Sequence, residues 1–173
     1  MLPPLKIYDN DLIRRCKMFR EMRRKDKGVS PEETLSILSS QTHGILAVDG
    51  DDDYPYAVPL SYVYDNGKIY FHCSNAEGHK LASIGKNPKV SFCVVEKDDV
   101  KPSDFNTKFA SAIAFGKVRT LTGGDEFRHA ALLILEKYSP DYIESGKEYI
   151  KECTGKFLVI AMDIEHLTGK AAK

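Results

Sequence analysis

The spacing of apolar residues along the chain first indicates helices. Within residues 9–25, apolar side chains recur at intervals of three and four, as on one helix face: Leu12, Ile13, Cys16, Phe19 and Met22. A second, shorter helix is expected next, because Ser30, Pro31 and Glu33 form the pattern of an N-terminal capping box. The two segments predict a helical region over residues 9–40.

After the helices, the period of the pattern changes to two, which indicates strands. Residues 56–64 alternate between two faces, and Asn66-Gly67 then turns the chain, since both residues tolerate the positive φ angles of tight hairpin turns. Residues 68–73 are predicted to return antiparallel. Pro59 lacks an amide proton, so it indicates either a sheet edge or a bulge.

The remaining pattern completes a small β protein. Further strands are expected over residues 43–49, 89–96, 108–121 and 156–167, and a helix over 125–139. Gly116 interrupts the long strand as a predicted bulge. Six mostly antiparallel strands, with helices at the ends and one inserted after the hairpin, predict a single domain over residues 1–173. Its fold class is mainly β with helices (α+β), a six-stranded antiparallel barrel.

Composition and charge narrow the function classes. Twenty-five basic residues balance 25 acidic ones, so no overall field attracts nucleic acid or an anionic membrane. The densest basic run, residues 19–27, has acidic breaks and no interleaved aromatic residues. No apolar run approaches the roughly 20 residues that span a bilayer, and the N-terminus lacks the apolar core of a signal peptide. A cytoplasmic protein without nucleic-acid or membrane partners is therefore expected.

The cysteines and histidines do not predict a metal site. The four cysteines are scattered singly, which favours free thiols over disulfides or a zinc site. His72, Cys73 and His79 lie within eight residues, but neighbouring positions on a strand point to opposite faces. A tetrahedral zinc site would need both side chains turned inward and further ligands, so we expect no metal.

The junction after the hairpin concentrates cationic and titratable side chains. Residues 70–84, YFHCSNAEGHKLASI, change within a few positions from strand-favouring to helix-favouring residues, and a short helix is predicted over 80–84. His72, His79 and Lys80 lie within this junction. A lysine at such a place is usually only solvated, so the surrounding pattern must decide whether it has a function.

That surrounding pattern resembles a known family. The ordered motifs are YxVPLSY (56–62), DNGxIYFH (65–72), GHK (78–80), NPKVSF (87–92), SAIAFGKV (111–118) and LTGK (167–170). Together they resemble the flavin-binding split barrels related to pyridoxamine 5′-phosphate oxidase, and are most similar to the Nim-type branch associated with 5-nitroimidazole resistance. The resemblance implies a split barrel, FMN as the cofactor, and a homodimer with flavin sites shared between the subunits.

The resemblance also implies roles for individual residues. His72 and Lys80, with His79 as a further candidate, would contact the FMN phosphate or nearby parts of the flavin. The strand Val58, Pro59, Leu60 and Ser61 would lie beside the isoalloxazine ring. A phosphate gains from an ammonium group and from free amides at a helix start, and an imidazole near the ring can donate a proton to an acceptor. His72 is therefore also the candidate catalytic residue.

Two departures from the family pattern bear on the substrate. Tyr56 falls near the position where the pyridoxamine phosphate oxidases carry an FMN-binding arginine, so phosphate charge must come from elsewhere. Their arginine-rich C-terminal end is replaced here by DIEHLTGKAAK. Oxidation of vitamin B6 phosphates is therefore disfavoured.

The sequence thus predicts an FMN-dependent reductase of small, planar, electron-poor substrates, with nitroaromatics such as 5-nitroimidazoles as candidates. No motif identifies the electron donor, and no dinucleotide-binding fingerprint is present. The alternative is a non-catalytic protein that stores or senses flavin or haem. Related split barrels include haem-handling proteins, and any of the five histidines offers a candidate axial ligand.

Overall fold

The described residues of the protein, in a computed structural model, are 19–153 and 155–172. The first predicted helix therefore lies largely outside them. From Phe19 to Arg24 the chain is not helical, and Lys25–Lys27 forms one turn of 3-10 helix. The predicted helix does not extend into the described part of the chain.

Four α-helices are described. They are α1 (Pro31–Ser40), α2 (His79–Lys86), α3 (Gly124–Tyr138) and α4 (Ile143–Glu152). The predicted helix and its Ser30 cap are confirmed, because the Ser30 hydroxyl accepts a hydrogen bond from the Glu33 amide at 3.2 Å. α1 then buries Leu35, Ile37 and Leu38 against the sheet and helps to close the barrel core.

One antiparallel sheet forms the body of the protein. Its strands are β1 (His43–Asp49), β2 (Pro55–Ser61), β3 (Val63–Asp65), β4 (Lys68–Ser74), β5 (Lys89–Lys101), β6 (Asn106–Leu121) and β7 (Phe157–Ala172). Their order across the sheet is β2-β1-β5-β6-β7-β4-β3. β2 and β3 follow each other in the chain yet lie at opposite edges, so the sheet curls until β2 approaches β4. The predicted split barrel is confirmed.

The strand count differs from the prediction, with seven strands rather than six, because the segment 56–64 breaks at Tyr62. The Tyr62 amide donates to the Tyr138 hydroxyl at 2.8 Å, and that hydroxyl lies 2.7 Å from the Tyr62 carbonyl. A side chain from α3 thus takes the backbone groups that a neighbouring strand would otherwise pair. Alternation along the strand cannot reveal a partner 76 residues away.

Three local predictions about the sheet are confirmed. Asn66 and Gly67 adopt φ angles of 46° and 81° in the turn between β3 and β4. β2 is an edge strand, and its register with β1 is unbroken, so Pro59 marks an edge and not a bulge. At Gly116 the pairing of β6 with β7 shifts, and a Cβ there would lie 2.1 Å from the Asp163 carbonyl oxygen. The bulge therefore requires glycine.

Glu126 attaches α3 to the sheet. Lys68 Nζ and Arg119 Nη2 each lie 2.8 Å from Glu126 Oε1, and the Tyr70 hydroxyl donates to the same oxygen at 3.2 Å. The hydrogen bonds from Lys68 and then Arg119, with the charges of both groups, hold the pKa of Glu126 down at about 2. The carboxylate is thus stabilised in its charged form by the fold.

We expect Glu126→Gln to lower the free energy of unfolding at pH 7 by about 1–2 kcal/mol, after allowing for solvent screening of this partly exposed group. A depressed pKa contributes stability that is complete above the ordinary carboxyl value of 4.5 and is lost as the pH falls toward 2. Urea unfolding at several pH values should therefore show the deficit at pH 7 shrinking as the pH falls through this window. The control is Glu136→Gln, an exposed carboxylate on the same helix. A pH-independent deficit would contradict the prediction.

Candidate functional site

The curled sheet brings three parts of the chain close together, since β2 contacts β4, Tyr56 stacks on His79, and the charge of Lys80 acts on His72. They are the free edge of β2 from Tyr56 to Ser61, the end of β4 at His72, and the start of α2 at Gly78 to Lys80. We call this region the cleft. It contains every site residue predicted from the sequence.

β2 offers the cleft its backbone more than its side chains. Val58 and Leu60 are partly buried against the barrel core, whereas Pro59 and Ser61 are exposed. β2 pairs only with β1 among the described strands, so the backbone groups along its other edge have no sheet partner there. Such an edge can exchange hydrogen bonds with a flat, polar ligand.

His72 is exposed on β4, opposite Val159 of β7. Partial burial of its ring, and then the charge of nearby Lys80, lower the pKa of His72 below its ordinary value of 6.5. The imidazole is therefore mostly neutral at pH 7. Its neighbour Cys73 instead packs against the barrel core, and burial raises the pKa of that thiol.

Lys80 is a half-buried cation in the first turn of α2. Among residues 19–153 and 155–172, no carboxylate lies within ion-pair distance of its ammonium group. Gly78 precedes the helix in an extended conformation, no side chain caps the helix start, and a Cβ on Gly78 would meet no atom within 4 Å. The first hydrogen bond within the helix runs from the Ala82 amide to the Gly78 carbonyl at 3.0 Å. The helix amides before Ala82 therefore have no partner within the helix. The Lys80 ammonium and the free amides at the start of α2 together form a setting that can bind an anion.

His79 has partners that its sequence position did not predict. Its ring stacks on Tyr56 with centroids 4.2 Å apart and planes 15° apart, and its Nε2 lies 3.5 Å from Asp51 Oδ2. These contacts fix the start of α2 against β2. Its prediction as a cofactor contact remains untested, and the structure shows it holding the two walls of the cleft together.

The described residues hold no cluster of three or more His, Cys, Asp or Glu side chains placed to bind a metal ion. None of the described helices is both long and apolar enough to cross a bilayer.

A curled antiparallel sheet with a helix inserted after its edge hairpin defines the split-barrel class of proteins. Residues 30–171 match the family model described as pyridoxamine 5′-phosphate oxidase. The match spans most of the chain, so the protein belongs to this family, as the sequence motifs predicted. Among curated protein sequences, none matches the chain significantly.

Solved structures with the same fold include three informative neighbours. A candidate 5-nitroimidazole antibiotic resistance protein from Bacteroides thetaiotaomicron is 21% identical, with a TM-score of 0.72 over 83% of this chain and 86% of its own. An FAD and haem binding protein from Mycobacterium smegmatis is 16% identical, with a TM-score of 0.70 over 85% and 74%. An FAD-binding protein from Mesorhizobium loti is 23% identical, with a TM-score of 0.56 over 85% and 98%. At these identities they establish a shared fold.

Proposed function

We propose that the protein is an FMN-dependent reductase of small, planar, electron-poor acceptors, with nitroaromatics such as 5-nitroimidazoles as the substrate class. The observation that carries the proposal is Lys80, a half-buried ammonium at an uncapped helix start without a carboxylate partner among the described residues. It hydrogen-bonds the Cys73 thiol, and its charge acts on His72. A cation in this setting suits an anionic ligand.

The groups of the cleft fit the polar parts of FMN. Lys80 and the first amides of α2 match a terminal phosphate with its two negative charges. The free edge of β2 matches the polar edge of the isoalloxazine ring, because both present donors and acceptors in one plane. Among the described residues the cleft has one lysine and one helix start, a set that suits one phosphate and favours FMN over FAD. The neighbours described as binding FAD support a flavin, and the resistance protein supports nitroimidazoles as substrates.

In the proposed mechanism, bound flavin supplies the electron transfer. Lys80 holds the phosphate, and the β2 backbone orients the ring in the cleft. His72 donates a proton from its imidazole to the acceptor or hydrogen-bonds an anionic group on it. Its lowered pKa limits the protonated fraction at neutral pH, so the proton-donating role should strengthen as the pH falls.

The visible spectrum of the purified protein, before and after adding FMN, tests the cofactor. Two flavin bands that follow the protein through gel filtration support the proposal. A Soret band would favour the second candidate, a protein that stores or senses haem, for which the neighbour from M. smegmatis is the supporting observation. A colourless protein that does not bind added FMN would contradict both.

The outer face of the sheet supports a homodimer as part of this proposal. Two adjacent rows of side chains cross β2, β1, β5, β6 and β7 without a Lys, Arg, Asp or Glu. They are Pro59, Ile45, Cys93, Ile113 and Thr168, and then Ala57, Ala47, Ser91, Phe115 and His166. We call this surface the outer face. Phe19 of the same chain already covers part of it, since its ring stacks on His166 with centroids 4.6 Å apart and lies 5.5 Å from that of Phe115. The outer face ends at β2, so a second copy packed there would stand beside the cleft.

We expect light scattering of the FMN-bound protein to give twice the chain mass of 19.4 kDa. An uncharged sheet surface gains free energy when a second copy covers it, and a shared cleft would couple flavin binding to association. Measurements over a range of dilutions, with and without FMN, test this coupling. A monomer that keeps its FMN would contradict the shared-site arrangement.

A further inference from the structure

The β5–β6 hairpin continues past the sheet as a two-stranded ribbon, residues 96–108. β5 and β6 pair with each other as far as Lys101 and Asn106. Among residues 19–153 and 155–172, β1 in contrast pairs with β5 only to Cys93, and β7, described as far as Ala172, pairs with β6 only to Phe109. A two-stranded ribbon is marginally stable in water when nothing packs on it. Cover from another surface would therefore stabilise residues 96–108.

The ribbon exposes apolar side chains on the same side as the outer face. When the bulge in the pairing of β5 with β6 is taken into account, Val95, Val100 and Phe109 lie on the same side of the sheet as Cys93. Val95 and Val100 are 57% and 62% exposed. Val100, Phe105 and Phe109 line an open groove of about 580 Å³ at the tip.

Phe105 forms the tip of the ribbon, and it is 98% exposed. Its φ of 48° is a left-handed conformation that is strained for a bulky residue. A large aromatic side chain held in solvent by strained backbone is unfavourable for an isolated chain. Burial against a partner would offset both costs, since a large aromatic side chain gains free energy when it leaves water.

The area of the outer face points to the same partner. With strands about 4.8 Å apart and a rise of about 3.4 Å per residue, its two rows cover about 300 Å². A stable interface buries about 800 Å² per partner. One side of the ribbon, about 20 Å long and 10 Å wide, adds about 200 Å² and brings the available surface to about 500 Å². A second copy that covers the outer face is thus expected to use the ribbon as well.

We propose that the ribbon is a clasp that holds a second copy of this chain, with Phe105 buried in the partner. The inference rests on the homodimer proposed above and specifies how it is held. β5 and β6 continue from the outer face into the ribbon across the bulge after Val95, and Val100 lies on the same side of the sheet as Cys93, so a chain that covers Cys93 can extend to Val100. The ribbon carries both signs of charge, at Lys97, Asp98, Asp99 and Lys101, which suits a self-complementary contact better than a polyanion.

Sedimentation velocity of the FMN-bound protein over a dilution series tests the clasp. Phe105→Ser and Val100→Ser should each raise the dissociation constant of the dimer about tenfold. Thermal unfolding at a dilution where the protein is monomeric should change little, because both side chains are exposed in the single chain. The matched control is Tyr142→Ser, which removes an aromatic ring that is 69% exposed beside α4, away from the outer face. Its dimer should dissociate like that of the unmodified protein.

Hydrogen exchange provides a second readout. Amides of residues 96–108 should be protected at concentrations where the dimer forms and should exchange faster on dilution. The proposal is contradicted if the dissociation constants of the Phe105→Ser and Val100→Ser dimers equal that of the control, or if the unmodified protein is monomeric at every concentration. It is also wrong if a nitroaromatic ligand, rather than association, protects the ribbon. The flavin spectrum of the same samples reports separately on the proposed function.

Discussion

His72→Ala should lower the turnover of a nitroaromatic acceptor at saturating FMN by about a hundredfold or more, because a positioned general acid contributes roughly 10²–10⁴-fold. The imidazole lies exposed at the cleft, with its pKa lowered by burial and by Lys80. A step that needs the protonated form should therefore slow as the pH rises through a value below 6.5. The variant should lose this dependence on pH.

The electron donor is not needed for the measurement. Protein whose bound flavin has been reduced photochemically can be mixed anaerobically with the acceptor, and flavin reoxidation can be followed by stopped-flow absorbance over a pH series. The control is His129→Ala, which removes an exposed imidazole paired with Asp65 on another part of the surface. Equal rates for His72→Ala and the control would reduce His72 to a phosphate contact or a structural residue.

Lys80→Ala should weaken FMN binding about ten- to a hundredfold, while turnover at saturating FMN changes little. One charge-assisted hydrogen bond contributes about 1.5–3 kcal/mol, which corresponds to that range of affinity. The variant should also move the pH dependence of reoxidation upward. Lys80 helps to hold the pKa of His72 down, so its removal lets that pKa rise.

Fluorescence quenching of FMN on titration with each apo-protein measures the affinity. Lys86→Ala is the matched control, because it removes the same charge from the other end of α2, where Lys86 pairs with Asp51. Affinity unchanged from the control would rule out Lys80 as the phosphate ligand. Loss of turnover without loss of affinity would instead assign Lys80 to the reaction itself.

Features with a short-range cause were predictable from the sequence. The Ser30 cap, the Asn66-Gly67 turn and the Gly116 bulge each follow from what one or two residues allow their own backbone to do. The approach of Lys80 to His72 was predictable as well, because a short junction keeps them close. These cases depend on local conformation, which the residues themselves determine.

Features with a distant cause were not predictable. The break at Tyr62 depends on Tyr138, and the stack of His79 on Tyr56 depends on how α2 packs beside β2. Neither contact leaves a periodic trace in the sequence. The walls of the cleft could thus be identified from motifs, but not the contacts that hold them together.

The arrangement of β2 and β3 at opposite edges has a consequence for synthesis on the ribosome. Tyr62 alone joins the two strands. The second edge of β1 can pair only after β5 has been synthesised, and the second edge of β4 only after β7 has been synthesised. Pairings between segments so far apart in sequence form slowly, because the intervening chain must first be ordered. The nascent chain therefore has strands with unpaired edges until β7 has emerged. Early release of the chain before β7 would leave both β4 and β6 open to aggregation.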